Sequence, residues 1–212
     1  MELLNTKLDA VNLCLAGIGR EPVATLGTPD LDAAMAVASI DQMSLDIQNN
    51  GGKGWWFNQE KGWKLQPNPN TGEVSLPNNT LSILEARATF YDQGNRLAVR
   101  GSKVYDTDQH TYDLRGIVDK EGVITFTLLI ALDYEQLPAT ARSAIAWAAR
   151  RLFSDDTVGD PNQNQREQMN ESKAWAMLQA EDTRSRRRNY LRDNSMVNNQ
   201  VGLVGGYNNM YR

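Results

Sequence analysis

Between Leu132 and Arg192 the chain spells two helices in succession, and the second is unusually long and polar. The first opens with LDYEQLPATARSAIAWAARRLFSD, where Pro138 suits a helix N1 position because an N–H there would have no intrahelical partner. Ala141, Ala144, Ile145, Ala148 and Leu152 then recur at three- and four-residue steps, which places them on one helix face. The second, QREQMNESKAWAMLQAEDTRSRRRNYLR, sets Met169, Ala176 and Leu191 amid dense charge. At 1.5 Å rise per residue, a helix from Pro161 to Asp193 is a rod of roughly 50 Å. A rod of that length and polarity is shaped to reach a neighbour rather than to close a compact monomer.

The N-terminal part supplies two more helices. Residues 5–18 carry Leu8, Val11, Leu15 and Ile18 on one face, with Asn5 or Thr6 as cap and Gly17 and Gly19 at the end. Pro22 forbids continuation. Thr28 as cap and Pro29 at N1 predict a restart, and Ala33, Val37, Ile40, Ser44 and Ile47 form the buried stripe. Asn49-Asn50-Gly51-Gly52 stops that helix.

The pattern changes at Lys53. Short strand-like runs alternate with turn clusters as far as Leu132. The runs are Trp63–Leu65, Glu73–Leu76, Ile83–Tyr91, Leu97–Arg100, Lys103–Asp106, Thr111–Leu114 and Val123–Ala131. Lys103–Asp106 and Thr111–Leu114 are expected to pair as a hairpin around Thr107-Asp108-Gln109-His110. The fold expected is therefore α+β: a helical bundle of two N-terminal and two C-terminal helices, interrupted by an antiparallel β-sandwich or barrel-like domain. The bundle takes residues 1–52 and 134–193 and the inserted β-rich domain takes 53–133. Residues 194–212 (NSMVNNQVGLVGGYNNMYR) have no helical period and form an extended C-terminal tail. Its composition fits a frayed end, but Val201, Leu203, Val204, Tyr207, Met210 and Tyr211 make it too apolar for a mere solubiliser and fit equally a segment that docks on a partner.

Composition narrows the chemistry. Among 212 residues there is one cysteine, so no intrachain disulfide can form, and Cys14 sits in an apolar helix where a core role is expected. With His110 the single histidine, Ser-His-Asp and Cys-His arrangements are poorly supported. Zinc-ligand spacing and Gly-rich phosphate loops are absent, and neither a catalytic site, a metal nor a cofactor is expected. The Asp106/Asp108 and Asp155/Asp156 pairs leave glycan hydrolysis as an alternative, because that reaction needs only two carboxylates. A receptor- or fibre-binding β module is a further alternative. A net charge of −4 opposes global attraction to nucleic acid. No apolar run is long enough to span a membrane and no signal peptide is visible, so a soluble protein made in a cytoplasm is expected.

Two groups of side chains point to contacts. Trp55-Trp56-Phe57 stands where the second helix gives way to the β segment, and these rings are expected to staple the two parts together. Trp147, on the first late helix, suits bundle packing or a subunit contact. The run Arg184-Ser185-Arg186-Arg187-Arg188 is a basic patch on an acidic chain. It fits a solvated helix end, a phosphate contact, or pairing with acidic groups of a neighbour.

Taken in order, Val11-Asn12, Leu15-Ala16-Gly17-Ile18-Gly19-Arg20-Glu21-Pro22-Val23, Gly54-Trp55-Trp56-Phe57-Asn58, Val104-Tyr105-Asp106 and Asp133-Tyr134-Glu135-Gln136-Leu137-Pro138 resemble one family. It is the tail tubular protein A family of Autographiviridae-type short-tailed phages, the head-to-tail adaptor or gatekeeper. The resemblance runs from residue 5 to about residue 193; the Trp55-Trp56 doublet and the Asn-rich tail depart from the pattern. It implies a virion protein in a ring of twelve copies below the portal vertex, synthesised in the host bacterial cytoplasm. The implied partners are the portal protein, the tail nozzle protein (tail tubular protein B), tail fibres, and double-stranded DNA passing through the lumen. The expected inter-subunit contacts are Trp147, Arg150, Arg151, Arg186, Arg187 and Arg188.

Overall fold

The computed structural model describes residues 4–27, 29–87 and 97–193, with side chains as far as Arg187. Among these residues four helices, α1 (Lys7–Gly17), α2 (Leu31–Asn49), α3 (Ala139–Thr157) and α4 (Pro161–Asp193), flank five strands. These are β1 (Gln59–Leu65), β2 (Thr80–Arg87), β3 (Leu97–Arg100), β4 (Lys103–Asp106) and β5 (Ile124–Ile130). The fold is α+β with antiparallel strands in small sheets.

Thr6 caps α1 through a reciprocal pair of bonds. Its Oγ1 accepts from Asp9 N–H at 3.2 Å, and the Asp9 carboxylate accepts from Thr6 N–H at 2.9 Å. The expected cap of α2, Thr28, lies outside the described residues. The cap is Asp30, whose carboxylate accepts from Ala33 N–H at 3.0 Å, so the helix starts at Leu31 rather than at Pro29. Asn50, at φ 45°, ends α2 in the left-handed region. Pro138 stands at the N-cap of α3, one place before its expected N1 position. Leu137 before it is held extended, as the ring of a following proline requires.

Helix α3 is the centre of the helical layer. Its buried residues Ala141, Ala144, Ile145, Ala146, Ala148, Ala149, Phe153 and Ser154 spread over most of its circumference, the mark of a helix covered on several sides. Helices α1, α2 and α4 all pack on it, while α2 and α4 have scarcely any contact with each other. The small side chains let the neighbours come close. Helix α4 buries Glu167, Ala174 and Leu178 on this side and exposes most of the rest.

Strand β5, the most apolar run, is the central strand of the sheet β1-β5-β2. Ile124, Phe126, Leu128 and Ile130 point from it into a second apolar cluster with Val74, Val104 and Leu114. A bulge interrupts β1 between Lys61 and Trp63, where Gly62 takes φ +82°. The expected hairpin between Lys103–Asp106 and Thr111–Leu114 does not form. Strand β4 pairs instead with β3 across Gly101-Ser102, and Thr111 keeps a single bridge to Asp106. The cause is Asp106 itself. Its carboxylate accepts from the N–H groups of Asp108 and Gln109, both at 2.9 Å, and ties the chain into a tight loop. The expected strand Glu73–Leu76 also shrinks to one bridge, Ser75 to Lys103. Of the expected strand Ile83–Tyr91, residues 88–91 lie outside the described residues.

Candidate interaction surface of the helical layer

The junction between the helices and the sheet is built around Trp55, which is 2% exposed. Its indole N–H donates to Ile47 O at 2.5 Å, and its ring meets Trp175 edge-on at 5.4 Å between centroids. Trp56 and Phe57 stack edge-to-face at 5.0 Å and pack on the helical core half-buried. Trp56 N–H also donates to the Asp182 carboxylate at 3.1 Å, so this segment holds α4 as well as α2.

Two polar residues support the rings; sequence reasoning missed Gln48, and marked Asn58 only as part of the family resemblance. Gln48, 1% exposed, accepts from Leu132 N–H at 2.7 Å, donates to Leu132 O at 3.0 Å, and donates to Ser44 Oγ at 2.9 Å. Asn58, fully buried, accepts from Trp55 N–H at 2.8 Å and donates to Gln48 O at 3.0 Å. A glutamine in a helix ordinarily reads as surface, and nothing local marks a partner 84 positions away. Gly54 was marked only as part of the family resemblance, not for its packing. It stands at φ +58°, and a Cβ there would lie 2.0 Å from Leu129 Cδ1.

Two of the expected contact residues, Arg150 and Arg151, hold α3 and α4 together within the chain. Arg150 Nε donates to Glu167 at 3.1 Å and its Nη1 to Leu13 O at 3.2 Å. Ser154 and Gln163 donate to the same Glu167 oxygen, so this buried carboxylate is met by a cation and two neutral donors. Trp147 packs half-buried against the helical core, with the Arg150 guanidinium 5.4 Å from its ring centroid. Arg151 bonds to Glu171, and this contact raises its pKa. Arg186 bonds to Asp182 at 2.7 Å and to Gly54 O at 3.2 Å. Arg187 is exposed, and the Arg188 side chain lies outside the described residues. So do the tail positions Val201, Leu203, Val204, Tyr207, Met210 and Tyr211.

Where α2 meets the segment leading into α3, a groove of about 420 Å³ is lined by Ile40, Leu45, Gln48 and Tyr134, with Lys7, Asp41, Asp133 and Glu135 around them. Burial pushes the Tyr134 hydroxyl pKa up, and its O–H donates to Arg142 O at 3.1 Å. Cys14 is fully buried and its thiol is pushed up to about 12 by that burial, which suits a core residue and not a nucleophile. Asp106 is 1% exposed with one carboxylate oxygen bound to its own turn, a poor position from which to meet a polysaccharide. Among the described residues, no group of three or more His, Cys, Asp and Glu could hold a metal ion, and no helix is long and apolar enough to cross a membrane.

What the described surface offers is helix faces and a shallow acidic groove, the features of an α+β protein that packs against other proteins. The chain belongs to the tail tubular protein family, whose model matches residues 8–188, from the first turn of α1 through the Arg-rich part of α4. It is a structural component of a phage tail. No curated protein gives a significant match.

Proposed function

We propose that the protein is the head-to-tail adaptor of a short-tailed phage. In this role a ring of twelve copies joins the portal to the tail nozzle protein, tail fibres attach near the lower junction, and double-stranded DNA passes through the lumen. The observation that carries this is family membership over residues 8–188 in a chain whose last helix outruns its own core. Among the described side chains the last buried one of α4 is Leu178, and its last described bond to another element is that of Arg186 to Gly54. The helix continues to Asp193, roughly 10 Å further, and leads into the apolar tail sequence. A projecting helix followed by Val201, Leu203, Val204, Tyr207, Met210 and Tyr211 suits a joint that inserts into a second protein.

Residues 1–52 and 134–193 act in this proposal as the ring-forming unit and 53–133 as the unit facing nozzle and fibre. The separate apolar clusters of helices and sheet support that division. Arg150 and Arg151 contribute to the subunit contact by seating α4 on α3, Trp147 by packing on the helical core, Arg186 by tying α4 to Gly54, and Arg187 and Arg188 by reaching outward. Native mass measurement of the full chain alone and with portal tests the proposal. A ring of twelve on portal is expected; no association at any ratio refutes it. Deletion of residues 201–212 is expected to leave a folded chain that no longer binds portal. Undiminished binding after deletion would remove the tail from the mechanism.

A further inference from the structure

Helix α2 carries a largely apolar stripe that nothing among the described residues covers. Leu31, Met35, Ala38, Gln42 and Leu45 lie opposite its buried residues Ala33, Ala36, Ile40, Ser44 and Ile47. At 100° per residue the five fall within one narrow arc, about 21 Å long. Leu31, Met35 and Leu45 are 76%, 42% and 50% exposed. Helix α4 has a matching feature: Met169, Ala176, Met177 and Ala180 are exposed along about 16 Å, with Met169 and Met177 at 57% and 55%.

The charges beside the two stripes are opposite. The charged residues of α2 are Asp32, Asp41 and Asp46; Asp32 pairs with Arg20 and Asp41 with Lys7, and Asp46, exposed next to Leu45, has no ion pair among the described residues. Asp133 and Glu135 extend the acidic rim at the groove, beside Leu45. On α4, the carboxylates of Glu167, Glu171, Glu181 and Asp182 all bond within the chain, to Arg150, Arg151, Thr140 and Arg186. Arg166 and Lys173, exposed beside Met169, have no ion pair among the described residues. The outward face of α4 is therefore cationic at Arg166 and Lys173, and that of α2 is acidic at Asp46 and at the groove end, where Asp133 and Glu135 lie. Because both helices pack on α3 and scarcely touch each other, the two faces sit on different flanks of the helical layer.

We propose that the α2 stripe of one copy docks on the α4 stripe of the next, a head-to-tail contact between copies of this chain. Two different patches on separate flanks cannot satisfy each other in a two-fold pair, and their repetition propagates until it closes. The assignment rests on the ring of the preceding section and names the surfaces that form it. It places Leu31, Met35 and Leu45 against Met169 and Met177 as the apolar centre, with Asp46 and the groove carboxylates facing Arg166 and Lys173.

Cross-linking of the full-length chain tests it. One preparation carries Met35→Cys or Leu45→Cys, the other Met169→Cys or Met177→Cys, and a short bis-maleimide is added to each alone and to the mixture. Cys14, fully buried, stays out of the reaction. A covalent pair only in the mixture, and a ladder from a chain bearing one substitution on each helix, is the expected result. A pair from an α2-substituted preparation alone, or assembly measured by mass with no α2–α4 product, overturns the face assignment and leaves the ring intact. A chain that assembles neither alone up to its solubility limit nor with portal overturns both. Leu45→Glu and Met177→Glu, both at exposed sites, are expected to keep the wild-type melting temperature and to raise the concentration for half-assembly tenfold or more. Unchanged assembly in both overturns the assignment.

Discussion

Replacing Gln48 by alanine isolates what the buried polar junction contributes. The substitution removes three hydrogen bonds: two to the Leu132 backbone and one to Ser44. A typical internal hydrogen bond adds about 0.5–1.5 kcal/mol net, and a buried backbone group left without a partner costs about 1–3 kcal/mol. Leu132 is only half-buried, so water can recover part of that loss. The net destabilisation expected is about 2–4 kcal/mol. For a chain of this size about 1 kcal/mol lowers the melting temperature by about 2–4 °C, which puts the expected drop for Gln48→Ala near 10 °C. Thermal and urea unfolding followed by near-ultraviolet circular dichroism, which reports the five tryptophans, measure it. Hydrogen exchange at Leu132 N–H should accelerate at the same time, because the bond from that donor to Gln48 is lost. A loss below about 0.5 kcal/mol with unchanged exchange would show that the Gln48 bonds do not hold the sheet to the helices.

Gly54→Ala is expected to destabilise by about 3 kcal/mol, combining a left-handed backbone position with a methyl driven into Leu129; a wild-type melting temperature would contradict the packing described. Cys14 should resist maleimide in the native state and react on unfolding, since its thiol is both enclosed and pushed up to about 12; labelling at the same rate before and after denaturation would refute its burial. Hydrogen bonds from Thr6, backbone first, lower the Asp9 pKa in the fold. The stability that Asp9 adds is therefore present above its unfolded value of about 3.9 and is lost as pH falls through the lower folded value. Thr6→Ala should cost about 1 kcal/mol near neutral pH and shrink that acid-linked loss, measured by urea unfolding across pH 2–6; an identical pH profile in wild type and variant would refute the capping box.

What could be read from residue order depended on whether the cause was local. The extent of α4 followed from Pro161 and the uninterrupted helix-forming run after it, and four of the five expected core positions of α2 from three- and four-residue spacing; on α1 only Val11 and Leu15 of the expected stripe are buried, beside Ala10 and Cys14. The existence of β5 was legible in VITFTLLIA, the most apolar of the strand-like runs, but its place between β1 and β2 was not. The pairing of β4 was not, because Asp108 and His110 signal a turn equally well whether or not a strand follows. It was the Asp106 carboxylate, bonding two and three residues ahead, that closed the loop too tightly for a second strand. The ion pair of Arg150 and Glu167 joins residues on different helices. From sequence alone, each looks like an exposed charge.

Alanine at positions 141, 144, 146, 148 and 149 gives α3 the slimmest girth a helix can have without glycine. Its neighbours on either flank are thereby held at a set separation and inclination. If copies meet through those flanks, α3 is a shim: its thickness fixes the wedge angle of each subunit, and the wedge angle fixes how many subunits complete a circle. Enlarging one of these methyl groups would then change the curvature of the assembly as well as the stability of the chain, and a circle that misses closure by a few degrees becomes a spiral.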